Sequence, residues 1–297
     1  MASTDIKAAL IQQHSIPVPA DMLACTCSAI EKAAADGARL ILLQELFTTP
    51  YFCQTENPDH FDLAEPVPGP TSDHLARLAA RLGVVIVAPL FERRATGIYH
   101  NSTAVLDSDG ALAGIYRKMH IPDDPGYYEK YYFAPGDSDF RPISTAVGKL
   151  GVLICWDQWF PEAARLMTLG GAELLLYPTA IGWDPRDEQQ EQQRQLDAWR
   201  TIQRSHAIAN GIPLLCCNRS GFESAPGGTP EEGIQFWGNS FACGPQGEIL
   251  AQASCEGEEI LLVDIDLNRP ESVRRVWPFL RDRRIDAYRD LTRRCRD

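Results

Sequence analysis

The sequence predicts an α/β fold built from layered, mixed sheets, and three observations lead there. Apolar runs of strand length alternate with longer segments whose apolar residues recur at helical spacing. Hairpin turns interrupt that alternation more often than a lone doubly wound parallel sheet would allow. No linker, internal repeat or low-complexity tract divides the 297 residues, a length that suits one large domain or two average ones.

Residues 7–12 read as an opening strand. Residues 22–35 carry apolar side chains at helical spacing, and Asp36-Gly37 ends that helix. Residues 38–45 form an apolar strand that stops abruptly on a carboxylate, Glu45. Residues 71–82 read as a helix that Thr71, Ser72 or Asp73 is able to cap, and 84–90 as the next strand. Strands at 101–106 and 111–116 flank Asp107-Ser108-Asp109-Gly110, a good hairpin turn, and the second runs on to Arg117-Lys118. Residues 150–154 lead to Cys155, a helix follows with Pro161 in its first turn, and 174–177 is again a strand. The polar stretch 187–210 places Leu196, Trp199, Ile202 and Ala209 on one helical face. Strands are expected at 214–217 and 260–265, and at 236–243 and 249–253 around the turn Gly244-Pro245-Gln246-Gly247. Residues 225–230 read as a loop.

Hydrophobic content of 44% and charged content of 23% are ordinary for a soluble enzyme. The formal net charge of −12 argues against nucleic acid or an anionic membrane as partner and is compatible with a cationic substrate. The longest apolar runs are far too short to span a membrane, and Met-Ala-Ser-Thr-Asp lacks the regions of a secretory signal. Nine cysteines, an odd number, fit a reduced cytosol better than a disulfide framework. No Cys-x-x-Cys or His-x-x-x-His pair occurs, so no metal site is expected.

Three strand ends carry the chemistry. Glu45 offers a carboxylate base, Lys118 an ammonium and Cys155 a thiol, the parts needed for acyl transfer through a thioester. Cys155 stands between an apolar strand and a helix start, where backbone N–H groups and the helix dipole favour a thiolate. Each residue has a plainer reading: Glu45 as a helix cap, Lys118 as a solvated lysine, Cys155 as core packing.

At these points the sequence resembles the nitrilase (carbon–nitrogen hydrolase) superfamily. Gln44-Glu45-Leu46-Phe47, then Tyr116-Arg117-Lys118 with His120-Ile121-Pro122, then Ile154-Cys155-Trp156-Asp157 match its three signature blocks in order. Further segments, among them Pro125-Gly126-Tyr127, Glu129-Lys130 and Arg281-Asp282-Arg283-Arg284, are similar to the branch that cleaves N-carbamoylputrescine, and the likeness runs from about residue 6 to 288. The resemblance implies a four-layer αββα sandwich in a single domain spanning 1–297, with a tail from about residue 278 at a homo-oligomer interface. It also implies Cys155 as nucleophile, Glu45 as general base, Lys118 and the Trp156 N–H as oxyanion donors, and Glu129 as an orienting glutamate. Glu129 read alone is equally a surface partner of Lys130. No metal or organic cofactor is implied.

A carbamoylated diamine is a small molecule with a neutral ureido end and a cationic end, so its pocket calls for a carboxylate or aromatic faces. Asp123 and Asp124 are candidates for the first, and Tyr51, Trp156 and Trp183 for the second, although 123–126 also reads as a turn and the aromatics as core. The chain departs from the branch pattern at Asp124, where glycine is usual, and at Tyr128, where glutamine is usual. A carbamoyl-amino-acid amidase such as a β-ureidopropionase would instead need an arginine clamp, for which Arg186, Arg194 and Arg219 are available. A non-catalytic binding protein on the same fold is the competing class.

Overall fold

The structure, a computed structural model, describes residues 5–229 and 232–296. The start of the chain, read above for a secretory signal, and Pro230 of the expected loop lie outside the described residues. The first half runs β1 (Asp5–Gln12), α1 (Pro19–Ala35), β2 (Leu40–Leu43), α2 (Pro70–Leu82), β3 (Val85–Ala95), β4 (Ile98–Leu106), β5 (Leu112–Arg117) and the single turn α3 (Glu129–Tyr132). The second half opens with β6 (Ile143–Thr145), β7 (Gly148–Val152), α4 (Pro161–Leu169), β8 (Leu174–Thr179), β9 (Gly182–Trp183) and α5 (Gln189–Asn210). It closes with β10 (Leu214–Asn218), β11 (Ser220–Ser224), β12 (Gly233–Trp237), β13 (Phe241–Cys243), β14 (Ile249–Gln252), β15 (Glu259–Asp266) and α6 (Arg269–Val276).

Two six-stranded mixed sheets form, ordered β15-β1-β2-β3-β4-β5 and β14-β13-β10-β8-β7-β6, with a three-stranded sheet β11-β12-β9 beside them. Period-two alternation sets the layers. Ala8 and Leu10 of β1, Leu40 and Leu42 of β2, and Val85 and Val87 of β3 point into a core shared with Leu150, Val152, Leu174 and Leu176 of the second sheet. Their neighbours Ala9, Ile11, Ile41, Leu43, Ile86 and Ala88 point the other way, onto Ile30 and Ala33 of α1 and Leu75, Leu78 and Ala79 of α2. The far face of the second sheet is covered by Ala163 and Met167 of α4 and Trp199 and Ala207 of α5. The result is helix, sheet, sheet, helix. Among the described residues no helix is long and apolar enough to cross a membrane.

Two local expectations need correction. The run 236–243 is not one strand: Gly238 and Asn239 both take positive φ (53° and 54°), so β12 ends and β13 begins in a different sheet. Two successive left-handed residues cannot continue a pleated strand. The cap of α2 lies earlier than expected, at Gly69, whose N–H donates to Ser72 Oγ (2.8 Å), so Ser72 serves from the third helical position.

Strands β2, β3 and β5 point one way, as do β7, β8 and β10, so their C-terminal ends gather at one edge of the sandwich. The end of β5 is held by a close backbone approach: Gly136 N–H donates to the Lys118 carbonyl (2.8 Å). A Cβ at Gly136 would fall 2.2 Å from the Arg117 carbonyl oxygen and 2.9 Å from Met119 Sδ. Gly136→Ala is therefore expected to destabilise the fold by about 1–3 kcal/mol and to displace the β5 end. Thermal unfolding together with activity checks this, and a fully stable, fully active variant would show that the β5 end does not depend on the approach.

Candidate active site

Glu45 leaves the end of β2 just before a sharp turn: its own N–H reaches across to the Thr179 carbonyl of β8 (3.4 Å), and Leu46 takes φ of 48°. That turn is clamped from beneath. Arg219, fully buried, donates to the carbonyls of Glu45 (3.1 Å), Leu46 (2.8 Å) and Thr49 (3.0 Å) and to Glu223 Oε1 (2.7 Å). Glu223 Oε2 in turn accepts the Tyr51 N–H (2.6 Å).

Lys118 follows β5, its N–H bonded to the Asn101 carbonyl of β4 (2.9 Å). The side chain has no exposure, and Nζ donates to Glu45 Oε1 (2.7 Å) and Glu129 Oε2 (2.6 Å). Asn101 Nδ2 shares Glu45 Oε1 (2.7 Å), and the Tyr51 hydroxyl donates to Glu129 Oε1 (2.6 Å). Both carboxylates are buried, at 0% exposure for Glu45 and 1% for Glu129.

Cys155 opens the short 3₁₀ turn Cys155–Trp159 beyond β7 with φ of 40°, a conformation rare outside glycine, and is 4% exposed. Its thiol faces the Ala180 carbonyl at 3.9 Å. Asp157 locks the turn to the first sheet, accepting from Ile154 N (2.9 Å), Tyr116 Oη (2.7 Å), His120 N (3.0 Å) and His120 Nδ1 (2.7 Å). The expected three strand ends thus meet, Glu45 and Lys118 from one sheet and Cys155 from the other, with Glu129 beside Lys118.

Burial opposes every charge here, and the charges answer one another. Burial pulls the Lys118 ammonium down, but Glu129 and Glu45 outweigh it and hold its pKa well above the usual lysine range. Burial lifts the Glu129 carboxyl to about 6 against the pull of Lys118. Burial, followed by the Glu45 charge, pushes the Cys155 thiol well above its ordinary range, with Lys118 opposing. This corrects the expectation of a thiolate. The helix α4 begins only at Pro161, beyond the 3₁₀ turn, so Cys155 does not stand in its first turn. A thiol in this setting needs a base.

A cavity of about 330 Å³ opens over Cys155, lined also by Glu129, Asp124, Tyr127, Trp156, Trp159 and Trp237. Trp156 lies where expected, but three other pocket expectations are corrected. Tyr51 is buried behind the cavity and holds Glu129. Asp123 is exposed and off the lining, because the turn closed by Tyr127 N–H on the Asp124 carbonyl (2.8 Å) presents Asp124 instead. Trp183 donates to the Gln192 carbonyl (2.9 Å) and packs its ring 5.1 Å from Trp237, which lines the cavity in its place. None of the three arginines lines it either. Arg219 is committed to the Glu45 turn, Arg186 pairs with Asp184 and Arg194 with Glu191. Sequence reasoning missed Asn101, although the buried polar run His100-Asn101-Ser102-Thr103 inside an otherwise apolar strand is its signal. It also missed the roles of Arg219, Glu223 and Asp157, which depend on backbone partners distant in sequence.

Glu129 gives a pH test. Below about 6 it takes up a proton and Lys118 loses one anionic partner, so kcat/KM is expected to fall there, and Glu129→Gln should erase that limb. Stability should move oppositely. The folded carboxyl holds its proton to higher pH than its ordinary 4.5, so this group stabilises the fold fully below 4.5 and ceases to do so as pH rises through about 6. An acid limb unchanged in Glu129→Gln would assign it to another group.

The family model described as carbon–nitrogen hydrolase matches residues 7–275. An N-carbamoylputrescine amidase of Arabidopsis thaliana is 48% identical over 263 residues, covering 88% of this chain and 87% of that protein. A citrullinase of Francisella tularensis subsp. tularensis is 40% identical over 291 residues, covering 98% and 99%. The crystal structure of a carbon–nitrogen hydrolase from Helicobacter pylori G27 superposes with a TM-score of 0.95 at 53% identity, covering 98% of this chain and 99% of that one. A buried cluster of carboxylate, ammonium and thiol at the joint edge of two sheets, and a match along nearly the whole sequence, lead to one assignment: the chain belongs to the carbon–nitrogen hydrolase family.

Proposed function

We propose that the chain is a cysteine-dependent amidase that hydrolyses N-carbamoylputrescine to putrescine, carbon dioxide and ammonia. The observation that carries this reading is the charge of the cavity lining. Its buried end holds Cys155 and Glu129, with the Lys118 ammonium bonded to Glu129 there; its exposed end presents Asp124, its walls are aromatic, and among the described residues no lysine or arginine lines that exposed end. A substrate neutral where it reacts and cationic at its far end fits that order. The volume lies in the range of small-molecule sites. The Arabidopsis and other N-carbamoylputrescine amidases among the relatives support the same substrate. A carbamoyl amino acid would place its carboxylate where the lining offers only an anion.

In this reading Glu45 takes the Cys155 proton as sulfur attacks the ureido carbon. The carbonyl electron pair moves onto oxygen, beside the Lys118 ammonium and the Trp156 N–H. Collapse breaks one C–N bond, and the departing amine receives the proton from Glu45, leaving a carbamoyl thioester. Water then attacks, giving its proton to Glu45, and sulfur leaves with that proton. The carbamic acid so formed splits into carbon dioxide and the second amine. A reducing cytosol, supported by nine free cysteines, and self-association through the tail, supported by exposed Phe279, Ile285 and Leu291, belong to the same reading.

Ammonia release from N-carbamoylputrescine, N-carbamoyl-β-alanine, a simple nitrile and a simple amide tests it. The carbamoylated diamine should be preferred, and Cys155→Ala should abolish turnover in a folded protein. Preference for the carbamoyl acid would replace the substrate assignment, and turnover by Cys155→Ala would end the mechanism. Asp124→Asn should raise KM for the diamine by about tenfold, the equivalent of ~1.4 kcal/mol, while leaving the uncharged analogue butylurea unaffected. Equal effects on both substrates would remove Asp124 as the reader of the ammonium.

A further inference from the structure

We infer that Asn101 is a positioning residue that reserves one oxygen of Glu45 for proton transfer. The two oxygens of this fully buried carboxylate are treated differently. Oε1 accepts from both Lys118 Nζ (2.7 Å) and Asn101 Nδ2 (2.7 Å). Oε2 is buried with no hydrogen-bond partner among the described residues. An oxygen holding two donors has its in-plane lone pairs occupied, so the free oxygen is the one able to take a proton. Oε2 is thus the base atom, and the neighbouring acid in the site is the Cys155 thiol, on whose ionisation Glu45 exerts the largest charge effect.

Lys118 alone would not impose this division. An ammonium is a compact charge, and the terminal torsion of a glutamate is broad, so the carboxylate would turn freely about its contact with Nζ. The second, directional donor from Asn101 fixes the plane. Which end of the carboxamide faces Glu45 is settled by chemistry, since only the amide nitrogen donates to a carboxylate. Asn101 also ties the base to the ammonium through its backbone, whose carbonyl accepts the Lys118 N–H (2.9 Å).

The carboxamide is a poor choice for packing alone. Asn101 has no exposure and its Oδ1 lacks a partner, so it carries an unsatisfied buried acceptor that an apolar residue would avoid. A side chain kept at a structural disadvantage beside the base points to a role in the chemistry.

The inference rests on the reading of Glu45 as base and specifies its proton path. As the S–C bond forms, the Sγ proton passes to Oε2. As the C–N bond breaks, the same proton passes to the leaving nitrogen, and a proton from water follows the same route in the second half.

The test uses Asn101→Ala and the isosteric Asn101→Asp in the full chain, because either leaves the backbone bond to Lys118 in place. Asn101→Ala should lower kcat by about 10- to 100-fold with KM changed by less than about twofold, at unaltered thermal stability. Asn101→Asp should work only on the acid side, where its own carboxyl is protonated and able to donate. Alkylation of Cys155 by iodoacetamide at pH 7, read by mass, needs no substrate and should slow at least about fivefold in Asn101→Ala. If the wild type prefers another amide, the substrate assignment fails and the same comparison runs on that amide. If it hydrolyses nothing, the alkylation rates decide. Unchanged kcat, or equal alkylation rates, would overturn the role of Asn101. Should Asn101→Ala not fold, a wild-type pH profile in Asn101→Asp would do the same.

Discussion

The Lys118 ammonium has no contact with water, and a charge in that position persists only when anions surround it. Glu45 and Glu129 provide them, two carboxylates to one cation. Burial and this surplus of negative charge together govern the rest of the site. Burial lifts the Glu129 carboxyl and the Cys155 thiol, the Glu45 charge adds to both, and Lys118 opposes them. In the proposed mechanism the nucleophile is formed by transfer of the thiol proton to the adjacent base, and the ammonium receives the charge that appears on the carbonyl oxygen.

Holding this cluster together takes further buried polar groups outside it. Arg219 and Glu223 fix the turn that carries both Glu45 and Tyr51, and so act on the two carboxylates at once. Asp157 does the corresponding work for the nucleophile, tying the Cys155 turn to the segment just after Lys118. Leu46 and Cys155 both sit in left-handed backbone at these turns. Such strained conformations persist only where the surroundings over-determine them, and here several charge-assisted bonds do so.

What the sequence made legible follows from what a strand end looks like in one dimension. Glu45, Lys118 and Cys155 each terminate a run with clear strand character, so their alignment at one edge was foreseeable once the strands were. The layers were foreseeable for the same reason, since residues such as Ala8/Ala9 and Leu42/Leu43 split between two faces by alternation alone. The pocket walls were not. Whether Trp183 or Trp237 faces the cavity depends on a short sheet that pairs segments about fifty residues apart, and whether Asp123 or Asp124 does depends on one turn. Tyr51 reads as an ordinary pocket aromatic, and only the fold shows its hydroxyl bound to Glu129. The thiolate expectation failed because burial, which a proline-opened helix nearby in sequence does not reveal, lifts the Cys155 thiol.

Cys155 and Glu45 follow strands of different sheets, and the apolar layer between those sheets separates the strands. The thickness of that layer therefore bears on how the thiol and the carboxylate face each other. Near the site a single backbone bond, Glu45 N–H to the Thr179 carbonyl, bridges the gap directly at 3.4 Å. Elsewhere the spacing is set by the volumes of side chains such as Leu42, Val87, Val152 and Leu176. The packing of an interior well removed from the cavity thus helps to hold the thiol and the carboxylate in place.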